Sequence, residues 1–556
     1  MQIPGTYVAS DAAAVSALRG VYAEPAVDRV YAMPASLRRV VGRVDASGAA
    51  VEGLELALDS LLRGRAGSQR VLRDARGRAF DSPAARLVAP TPGHTVVLTI
   101  DQDLQEIAER ALTDAVTRLG ATGGDIVVLD PQSGEVRAMA SHRVGAVERA
   151  ATALTEPFEP GSTIKPFIAA GLLARGRVRP TDVVDTRDGS LTIEGRTIHD
   201  VHQGEDRMTL AQVLQWSSNV GIVRFAERLS PGEEYETLRD FGFGAPTGVS
   251  YPSEAPGTLR SPAQWSRQSA ASLAMGYEIA VTPLQLAAAY ATFANGGELL
   301  EPTLVKEVRS PDGVVRYRHT RRVVRRVVPA DVADRVRAML TNVVTDGTAL
   351  EADLSTFLLA GKTGTARRTV GGRYAAMQYY ATFAGLFPAD RPQLVILVKL
   401  DSPKDTYYGG HTAAPVTRAV LEAALAARDA ALDRTALAAA LRRREPPGPR
   451  TTVASGVAAT ATSQSPVRLA GDPITDGPPA RVVLRLPYHS PRLAARVPRP
   501  VPQIQGLELR DAVRALHSAG FRVKLERARV TGGSAETTSP AAGTIAPAGS
   551  TVRIFR

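Results

Sequence analysis

Three short motifs carry the residue types that acyl transfer requires. Ser162-Thr-Ile-Lys165 combines a hydroxyl with an amine three residues later, Ser217-Ser-Asn219 combines a hydroxyl with a carboxamide, and a second amine begins the motif at Lys362. The chain has only six lysines against 61 arginines. Because an ammonium group can lose its proton and a guanidinium cannot, lysines in these motifs indicate proton transfer rather than charge alone.

The first motif is predicted to begin a helix, with Ser162 in its first turn after Pro160 and Gly161. Lys165 then lies on the same helix face, where its amine can reach the serine hydroxyl. To act as a base near neutral pH, its pKa must fall from about 10.4 through burial or a neighbouring cation, for which Lys362 is the candidate. Taken alone, the motif is better explained by a capping serine and a surface lysine.

The second motif places the Ser217 hydroxyl and the Asn219 carboxamide in a small space. A hydroxyl can pass a proton between a base and a leaving group, and a carboxamide can hold a substrate amide. Serine and asparagine also favour turns, so a helix-ending turn is the better explanation of this motif by itself.

The third motif, Lys362-Thr-Gly-Thr365, follows apolar residues and is predicted to lie on a strand. A strand edge beside a nucleophile can pair with an extended peptide, and Gly364 would let the backbones approach closely. The hydroxyls of Thr363 and Thr365 with the Lys362 amine would bind a carboxylate. A strand ending in a glycine turn explains this motif alone, but not all three motifs in this order.

Composition excludes several other classes of protein. With no cysteine there are no disulfides, thiolate metal sites or cysteine nucleophiles, and the eight histidines form no H-E-x-x-H motif. The net charge is +11, but the arginines are scattered and aromatic residues make up only 5%, so nucleic-acid binding is not predicted. No apolar stretch reaches the length of about 18 residues that a membrane helix needs.

The elements that must position the motifs are predicted from periodicity and turn residues. A helix over about 101–119, capped by Asp101, precedes a hairpin with strands at 125–129 and 135–140. A helix-rich middle follows. Further strands at about 357–366, 378–387 and 393–401 and a helix over 414–427 close the pattern. The predicted fold is α+β: an antiparallel sheet with helices on its faces and an inserted helical subdomain.

Beyond this pattern the composition changes. Residues 429–498 are rich in Ala, Arg, Pro, Ser and Thr and are predicted to be a linker. Residues 499–556 are predicted to form a small αβ module. It has a helix face of Leu509, Val513 and Leu516, strands at 521–530 and 551–555, and turns at 540–543 and 547–549.

With these motifs the chain resembles the class B penicillin-binding proteins, which are peptidoglycan D,D-transpeptidases, and is most similar to their cell-division branch. The resemblance covers about 94–428 and includes segments 159–166, 276–277, 281–286, 294–297, 347–348, 360–366, 407–410 and 413–415. Residues 53–64 resemble part of the family's N-terminal pedestal, so 1–93 is expected to be a truncated pedestal. Residues from 501 onward resemble a PASTA domain.

The resemblance implies roles for eight residues. The expected catalytic residues are Ser162, Lys165, Ser217, Asn219 and Lys362, and the expected substrate-binding residues are Thr363, Gly364 and Thr365. Ser162 would be the acylated nucleophile and Lys165 its base, and the backbone N–H groups of Ser162 and Thr365 would form the oxyanion hole. No metal or organic cofactor is implied.

The same resemblance implies the partners and the location. The substrates would be peptidoglycan stem pentapeptides, β-lactam antibiotics would acylate the same serine, and division proteins including a glycosyltransferase would bind the chain. The catalytic domain would lie on the extracytoplasmic side of the cell membrane, held by an anchor that precedes residue 1. The segment 141–158 is shorter than is usual in the family and lacks its Pro and Asn residues.

Two alternative functions share these motifs. A D,D-carboxypeptidase would transfer the acyl group to water, and a non-catalytic receptor would only sense β-lactams or muropeptides. A class A β-lactamase is disfavoured, because its deacylation loop has a Leu-Asn pair and this sequence has none.

Overall fold

The computed structural model divides into two compact units, residues 1–451 and 452–556. It describes residues 35–444 and 499–555, except 46–47, 70–71, 74, 77–78, 81–86, 146–150, 188, 202–204, 405, 508–511, 514, 517–518, 520, 527–536 and 547–549. The first unit contains all three motifs.

A five-stranded antiparallel sheet forms the centre of the first unit. Its strands in chain order are β1 (Gly123–Leu129), β2 (Val136–Arg143), β3 (Ala360–Val370), β4 (Arg373–Phe387) and β5 (Leu394–Asp401). The spatial order is β3-β4-β5-β1-β2, so β3 is an edge strand. The predicted hairpin and the three later strands are confirmed, although β3 begins and ends a few residues further along the chain than predicted.

Helices cover both faces of this sheet. The helix α1 (Gln102–Arg118) begins where predicted, because the Asp101 carboxylate accepts the Leu104 N–H at 2.9 Å. It packs against the helix Ala413–Ala426, while Pro283–Ala291 packs on β1 and β5. Every residue of β1 and β5 is therefore buried, which explains why these strands are apolar without alternation.

The segment between β2 and β3 is the helical subdomain that the sequence predicts, with short strand pairs added. Its main helices are α2 (Lys165–Ala174), α3 (Leu210–Gln215), α4 (Asn219–Ala226), α5 (Pro283–Ala291) and α6 (Ala330–Thr345), and α7 (Ala413–Ala426) follows the sheet. Its other helices are Thr152–Thr155, Gly161–Ile164, Pro231–Asp240, Pro262–Gln264, Ser269–Ala274 and Leu350–Ala352. Its strand pairs are Val183–Asp185 with Arg207–Thr209, Ser190–Ile193 with Arg196–His199, and Thr258–Leu259 with Ile279–Ala280.

Helix α2 runs through the core of this subdomain. Nine of its ten residues are buried, which suits a helix that is apolar on all sides. The Phe167 ring lies about 5 Å from four other aromatic rings, those of Phe241, Phe243, Tyr290 and Phe293. Aromatic contacts of this kind add about 0.5–1.5 kcal/mol each beyond burial. The helix that carries the first motif is thus held rigidly.

Two further regions of strands complete the first unit. Strands Thr95–Leu98, Val305–Arg309 and Val315–Arg318 form one small sheet, and Glu298–Leu300 pairs with Val323–Arg326. Upstream lie the helices Ala35–Val41, Gly53–Ala57 and Asp59–Leu62 and the strand pairs Arg43–Val44 with Ala50–Glu52, Ser68–Gln69 with Leu87–Val88, and Leu72–Arg73 with Ala79–Phe80. Leu58 separates the two short helices Gly53–Ala57 and Asp59–Leu62. No helix in the described part of the chain is long and apolar enough to cross a bilayer.

The first unit continues into the segment that composition assigns to the linker. Helix Arg434–Arg444 lies inside 429–498, and its Leu437 is buried in the main core together with Ala430 and Leu432. Alanine and arginine, which make this segment look like a linker, are also good helix formers. Residues 445–498 lie outside the described residues.

The second unit has a core of its own. Strand Thr551–Phe555 pairs in parallel with Arg522–Glu526 and antiparallel with Thr537–Ser539, and Arg499–Pro500 pairs with Ile545–Ala546. Buried residues Ile504, Leu516, Phe521 and Val552 meet between these elements. The strand predicted at 551–555 is confirmed, whereas Leu509, residues 527–530 and the turn at 547–549 lie outside the described residues.

Candidate active site

The first motif forms a tight turn at the start of α2. Gly161–Ile164 is a 3₁₀ helix that leads directly into the α-helix at Lys165, where Pro166 is tolerated because the first helical N–H groups need no partner. Ser162 is partly exposed, whereas the Lys165 side chain is completely buried. The predicted helix start is confirmed, with a 3₁₀ first turn.

The buried Lys165 amine is held by the second motif. Its Nζ donates to the Ser217 carbonyl at 2.6 Å and to Asn219 Oδ1 at 2.8 Å, and lies 3.4 Å from Ser217 Oγ. Ser162 Oγ is not among the described hydrogen-bond partners of the Lys165 amine. A neutral lysine has two N–H bonds and one lone pair. The two carbonyl-type oxygens match the two N–H bonds, so the lone pair remains for a hydroxyl that must be deprotonated.

Burial is the main cause of the unusual acidity of this amine. It lowers the pKa of Lys165 to about 7, and the negative charge of Asp200 partly opposes that fall. Burial also lowers the pKa of Lys362 well below its ordinary value, and the nearby charge of Lys165 adds to this effect. The sequence analysis left open whether burial or the Lys362 cation depresses the Lys165 pKa, and the structure identifies burial as the larger cause.

The second motif lies in the turn between α3 and α4. Ser217 has a φ of 58°, a left-handed conformation that is uncommon for a residue other than glycine and is often found at functional sites. The Asn219 Nδ2 donates to the His199 carbonyl at 2.9 Å, which directs Oδ1 of the same amide towards Lys165. Helix α3 ends just before this motif and helix α4 begins within it. The predicted helix-ending turn and the predicted polar site are therefore the same structure.

The third motif brings a second amine to the same hydroxyl. Lys362 is fully buried on β3, and its Nζ donates to Ser217 Oγ at 2.9 Å and to the Thr363 carbonyl at 3.2 Å. The Ser217 hydroxyl therefore lies between the amines of Lys165 and Lys362. An oxygen with two amine neighbours can accept a proton from one side and give one to the other.

The edge strand β3 lies directly against the nucleophile turn. A Cβ at Gly364 would lie 2.8 Å from the Pro160 carbonyl oxygen and 2.8 Å from Thr163 Cγ2, so only glycine permits this approach. The Thr365 hydroxyl accepts the Gly409 N–H at 3.2 Å and keeps its own hydrogen to donate. The site thus combines a partly exposed serine with a strand edge and an available threonine hydroxyl.

A buried ion cluster supports the segment that leads to the nucleophile. The Asp125 carboxylate on β1 accepts from Lys399 at 3.0 Å, from Arg143 at 2.9 Å and from the Thr152 hydroxyl. Burial alone would raise the pKa of Asp125, but the charges of Lys399 and Arg143 hold it well below its ordinary value. Lys399 Nζ also lies 5.4 Å from the centre of the Phe158 ring, four residues before Ser162.

The structure adds functional residues that the sequence analysis missed. Thr348 Oγ1 lies 2.8 Å from Thr363 Oγ1, and the Tyr290 hydroxyl donates to the Thr163 carbonyl at 2.7 Å. Asp200 accepts hydrogen bonds from residues 218–220, which lie 18–20 positions further along the chain. No spacing rule connects such distant positions, and the only signal in the sequence was that segment 347–348 took part in the family resemblance.

The comparisons with known proteins agree with this geometry. A family model described as the penicillin binding protein transpeptidase domain matches residues 124–422, and one described as the PASTA domain matches residues 500–555. The chain is 36% identical over 421 residues to the probable peptidoglycan D,D-transpeptidase PbpC of Pseudomonas aeruginosa, covering 74% of this chain and 72% of that protein.

Two mycobacterial comparisons extend the match. Penicillin-binding protein PbpB of Mycobacterium tuberculosis is 35% identical over 434 residues, covering 73% of this chain and 64% of that protein. A crystal structure of penicillin binding protein 3 from the same organism, complexed with aztreonam, superposes with a TM-score of 0.62 at 33% identity, covering 71% of this chain and 88% of that one. The similarity thus includes both the sequence and the fold.

Proposed function

The chain belongs to the penicillin-binding protein transpeptidase family and is a serine-type peptidoglycan D,D-transpeptidase, and we propose that Ser162 is the residue its substrate acylates. The observation that carries this proposal is the shared hydrogen-bond network of the three motifs. Lys165, Ser217, Asn219 and Lys362 are joined by bonds of 2.6–3.4 Å beside the partly exposed serine. In the sequence these motifs are separated by about 50 and 145 residues.

In the acylation step, the neutral Lys165 amine takes the proton of the Ser162 hydroxyl. The serine oxygen attacks the carbonyl carbon of the penultimate D-Ala of a stem pentapeptide and forms a tetrahedral intermediate. The C–N bond then breaks, and the terminal D-Ala leaves as its amine accepts a proton. Ser217 Oγ, between the two lysine amines, supplies the path for that proton.

The edge of β3 binds the substrate in this proposal. An extended peptide adds to the free edge, as in other β-strand additions. The hydroxyls of Thr363 and Thr365 hold the terminal carboxylate, and the backbone N–H groups of Ser162 and Thr365 stabilise the oxyanion. The close approach at Gly364 supports this arrangement, since it brings β3 and the nucleophile turn into contact.

The second step transfers the acyl group to an amine of a neighbouring stem peptide. That amine attacks the ester carbonyl and loses a proton, the Ser162 oxygen leaves and regains one, and the crosslink is formed. A β-lactam would acylate Ser162 in the same way, because its strained amide presents a carbonyl to the same nucleophile. The relative with bound aztreonam supports this part of the proposal.

The cellular setting is also part of the proposal. The enzyme acts on the extracytoplasmic side of the cell membrane, at division, with partners that include a glycosyltransferase. Residues 1–93 form a pedestal for such partners, the transpeptidase domain begins at about 94, and the PASTA-like domain occupies 499–556. The helix Arg434–Arg444, whose Leu437 packs in the main core, supports a linker that starts after residue 444 rather than at 429.

Fluorescent penicillin labelling of the wild type and of Ser162→Ala tests the assignment of the nucleophile. The wild type should form one stable adduct on the peptide that contains residue 162, and the variant should form none while its thermal unfolding is unchanged. Labelling retained by a folded Ser162→Ala would contradict the proposal.

A second assay separates the transferase from its alternatives. With lipid-linked pentapeptide chains, a transpeptidase forms crosslinked dimers and releases D-Ala. A carboxypeptidase would release D-Ala without dimers, and a receptor would bind penicillin but release none.

A further inference from the structure

One carboxylate outside the three motifs binds the second motif. Asp200 follows the strand Arg196–His199 and accepts hydrogen bonds from three consecutive residues. They are the Ser218 hydroxyl at 2.6 Å, the Asn219 N–H at 2.5 Å and the Val220 N–H at 2.9 Å. Hydrogen bonds to an ionised carboxylate are stronger than those between neutral groups, so this contact fixes the whole turn.

The same turn is also capped from within. The Ser218 hydroxyl donates to Asp200 and accepts the Gly221 N–H at 2.8 Å, so the cap of α4 is itself oriented by the carboxylate. Next to Asp200, the His199 carbonyl accepts the Asn219 amide N–H at 2.9 Å. The residue pair 199–200 therefore fixes both the backbone and the side-chain orientation of Asn219.

This arrangement bears directly on the Lys165 amine. The Ser217 carbonyl and Asn219 Oδ1, its two closest acceptors, belong to the turn that Asp200 holds. Burial lowers the pKa of this amine and the Asp200 carboxylate raises it, while the charge of Lys165 lowers the pKa of the neighbouring Lys362 on β3. Asp200 thus has both a geometric and an electrostatic connection to the amine.

We propose that Asp200 is a positioning residue of this transpeptidase, which sets the geometry and the protonation of Lys165 by holding the turn at residues 218–220. It touches neither the substrate nor the reacting atoms, and it acts through Asn219 and the Ser217 carbonyl. The proposal rests on the proposed role of Lys165 as the base that activates Ser162.

The test compares Asp200→Asn and Asp200→Glu with the wild type. The measured quantity is the second-order rate constant for acylation by fluorescent penicillin, from about pH 5 to about pH 9, where a base of this kind titrates. Asp206→Asn is the matched control, because it also removes one negative charge from the segment between the strands Arg196–His199 and Arg207–Thr209. Asp206 accepts the Thr186 N–H with its backbone carbonyl, so the substitution leaves that hydrogen bond in place.

For Asp200→Asn we expect the plateau rate to fall by about tenfold or more, as for other losses in the support of catalytic groups. The midpoint of the acidic limb should also move to lower pH, because the negative charge that raises the Lys165 pKa is gone. Asp200→Glu should keep the midpoint of the wild type and recover part of the rate. Asp206→Asn should behave as the wild type.

The midpoint separates this role from simple helix capping. A lost cap would lower the unfolding temperature and the rate but leave the midpoint in place, and that result would overturn the proposal. A rate for Asp200→Asn within about twofold of the wild type would also overturn it, since a supporting contact of this kind contributes more. If Asp200→Asn does not fold, Asp200→Ser, which also removes the charge but keeps an oxygen acceptor, decides by the same criteria: a lower rate with a midpoint moved to lower pH supports the proposal, and an unmoved midpoint or an unchanged rate overturns it.

A failure of the proposed function would look different. In that case the wild type would not be labelled, or Ser162→Ala would be labelled as well. If the wild type is labelled and Asp200→Asn is acylated in the same way as the wild type, only the role of Asp200 is contradicted.

Discussion

Replacement of Lys165 by arginine separates proton transfer from positive charge. Burial sets the pKa of Lys165 to about 7, so about half of the amine is neutral at pH 7. An arginine would be almost entirely protonated at that pH, because the pKa of a guanidinium lies far above that of an amine. General bases contribute about 10²–10⁴-fold to rates. We therefore expect Lys165→Arg to lose at least about a hundredfold in acylation rate, nearly as much as Lys165→Ala.

The assay is the second-order rate constant for fluorescent penicillin, with the acyl-enzyme confirmed by its mass. Because Lys165 is completely buried, a guanidinium also has to fit a closed space. Lys165→Met, which is neutral and of similar length, shows how much of any loss in unfolding temperature comes from packing. Lys404→Arg makes the same exchange at an exposed lysine and should change nothing.

The pH dependence of the wild type gives an independent check. The base must be neutral to act, so the rate should fall as the pH drops below about 7, by about tenfold per unit. At pH 5 about one hundredth of the plateau should remain. The reasoning is refuted if Lys165→Arg keeps more than about a tenth of the wild-type rate, or if the wild type shows no acidic limb.

Two further predictions concern stability and the second unit. Glu234, on helix Pro231–Asp240, is 1% exposed, and burial raises its pKa well above 4.5. A carboxyl whose pKa is higher in the folded state contributes stability that is complete below the unfolded-state pKa and is lost as the pH rises through the folded-state pKa. The unfolding temperature of Glu234→Gln should therefore be about 2 °C or more above that of the wild type near pH 8, but not near pH 4. Glu236→Gln, at a half-exposed side chain, should show no gain in unfolding temperature at either pH. Deletion of 499–556 should leave the rate of Ser162 acylation within about twofold of the full-length value, because this segment has its own core. A tenfold loss, about 1.4 kcal/mol of barrier, would show that the segment contributes to the catalytic site and would contradict this expectation.

Local patterns were sufficient for most of the sheet and its helices. The strands at 125–129 and 393–401 were predicted from the sequence, and their complete burial explains why these segments are largely apolar without alternation. The helix capped by Asp101 was predicted from a side chain that binds its own first turn. The helix at 434–444 was missed because composition cannot show that Leu437 meets a core formed by distant residues.

The candidate site was predicted only in part. The three motifs and their order predicted the reacting groups, because chemistry limits which residue types can serve as nucleophile, base and carboxylate ligand. The alternatives of burial and a neighbouring cation as the cause of the Lys165 pKa remained open in the sequence. The structure decided between them, since burial depends on every element packed around the amine.

By itself, the sequence determined the chemical groups, the strands and helices that carry them and the family. Each of these depends on residue type and on neighbours within one or two turns. The tertiary structure alone decided that Ser217 lies between two lysine amines, that Gly364 brings β3 against the nucleophile turn, and that Asp200 holds Asn219. These contacts join residues from 19 positions apart (Asp200 and Asn219) to 204 positions apart (Pro160 and Gly364), and their energies depend on distance and burial, which no local pattern records.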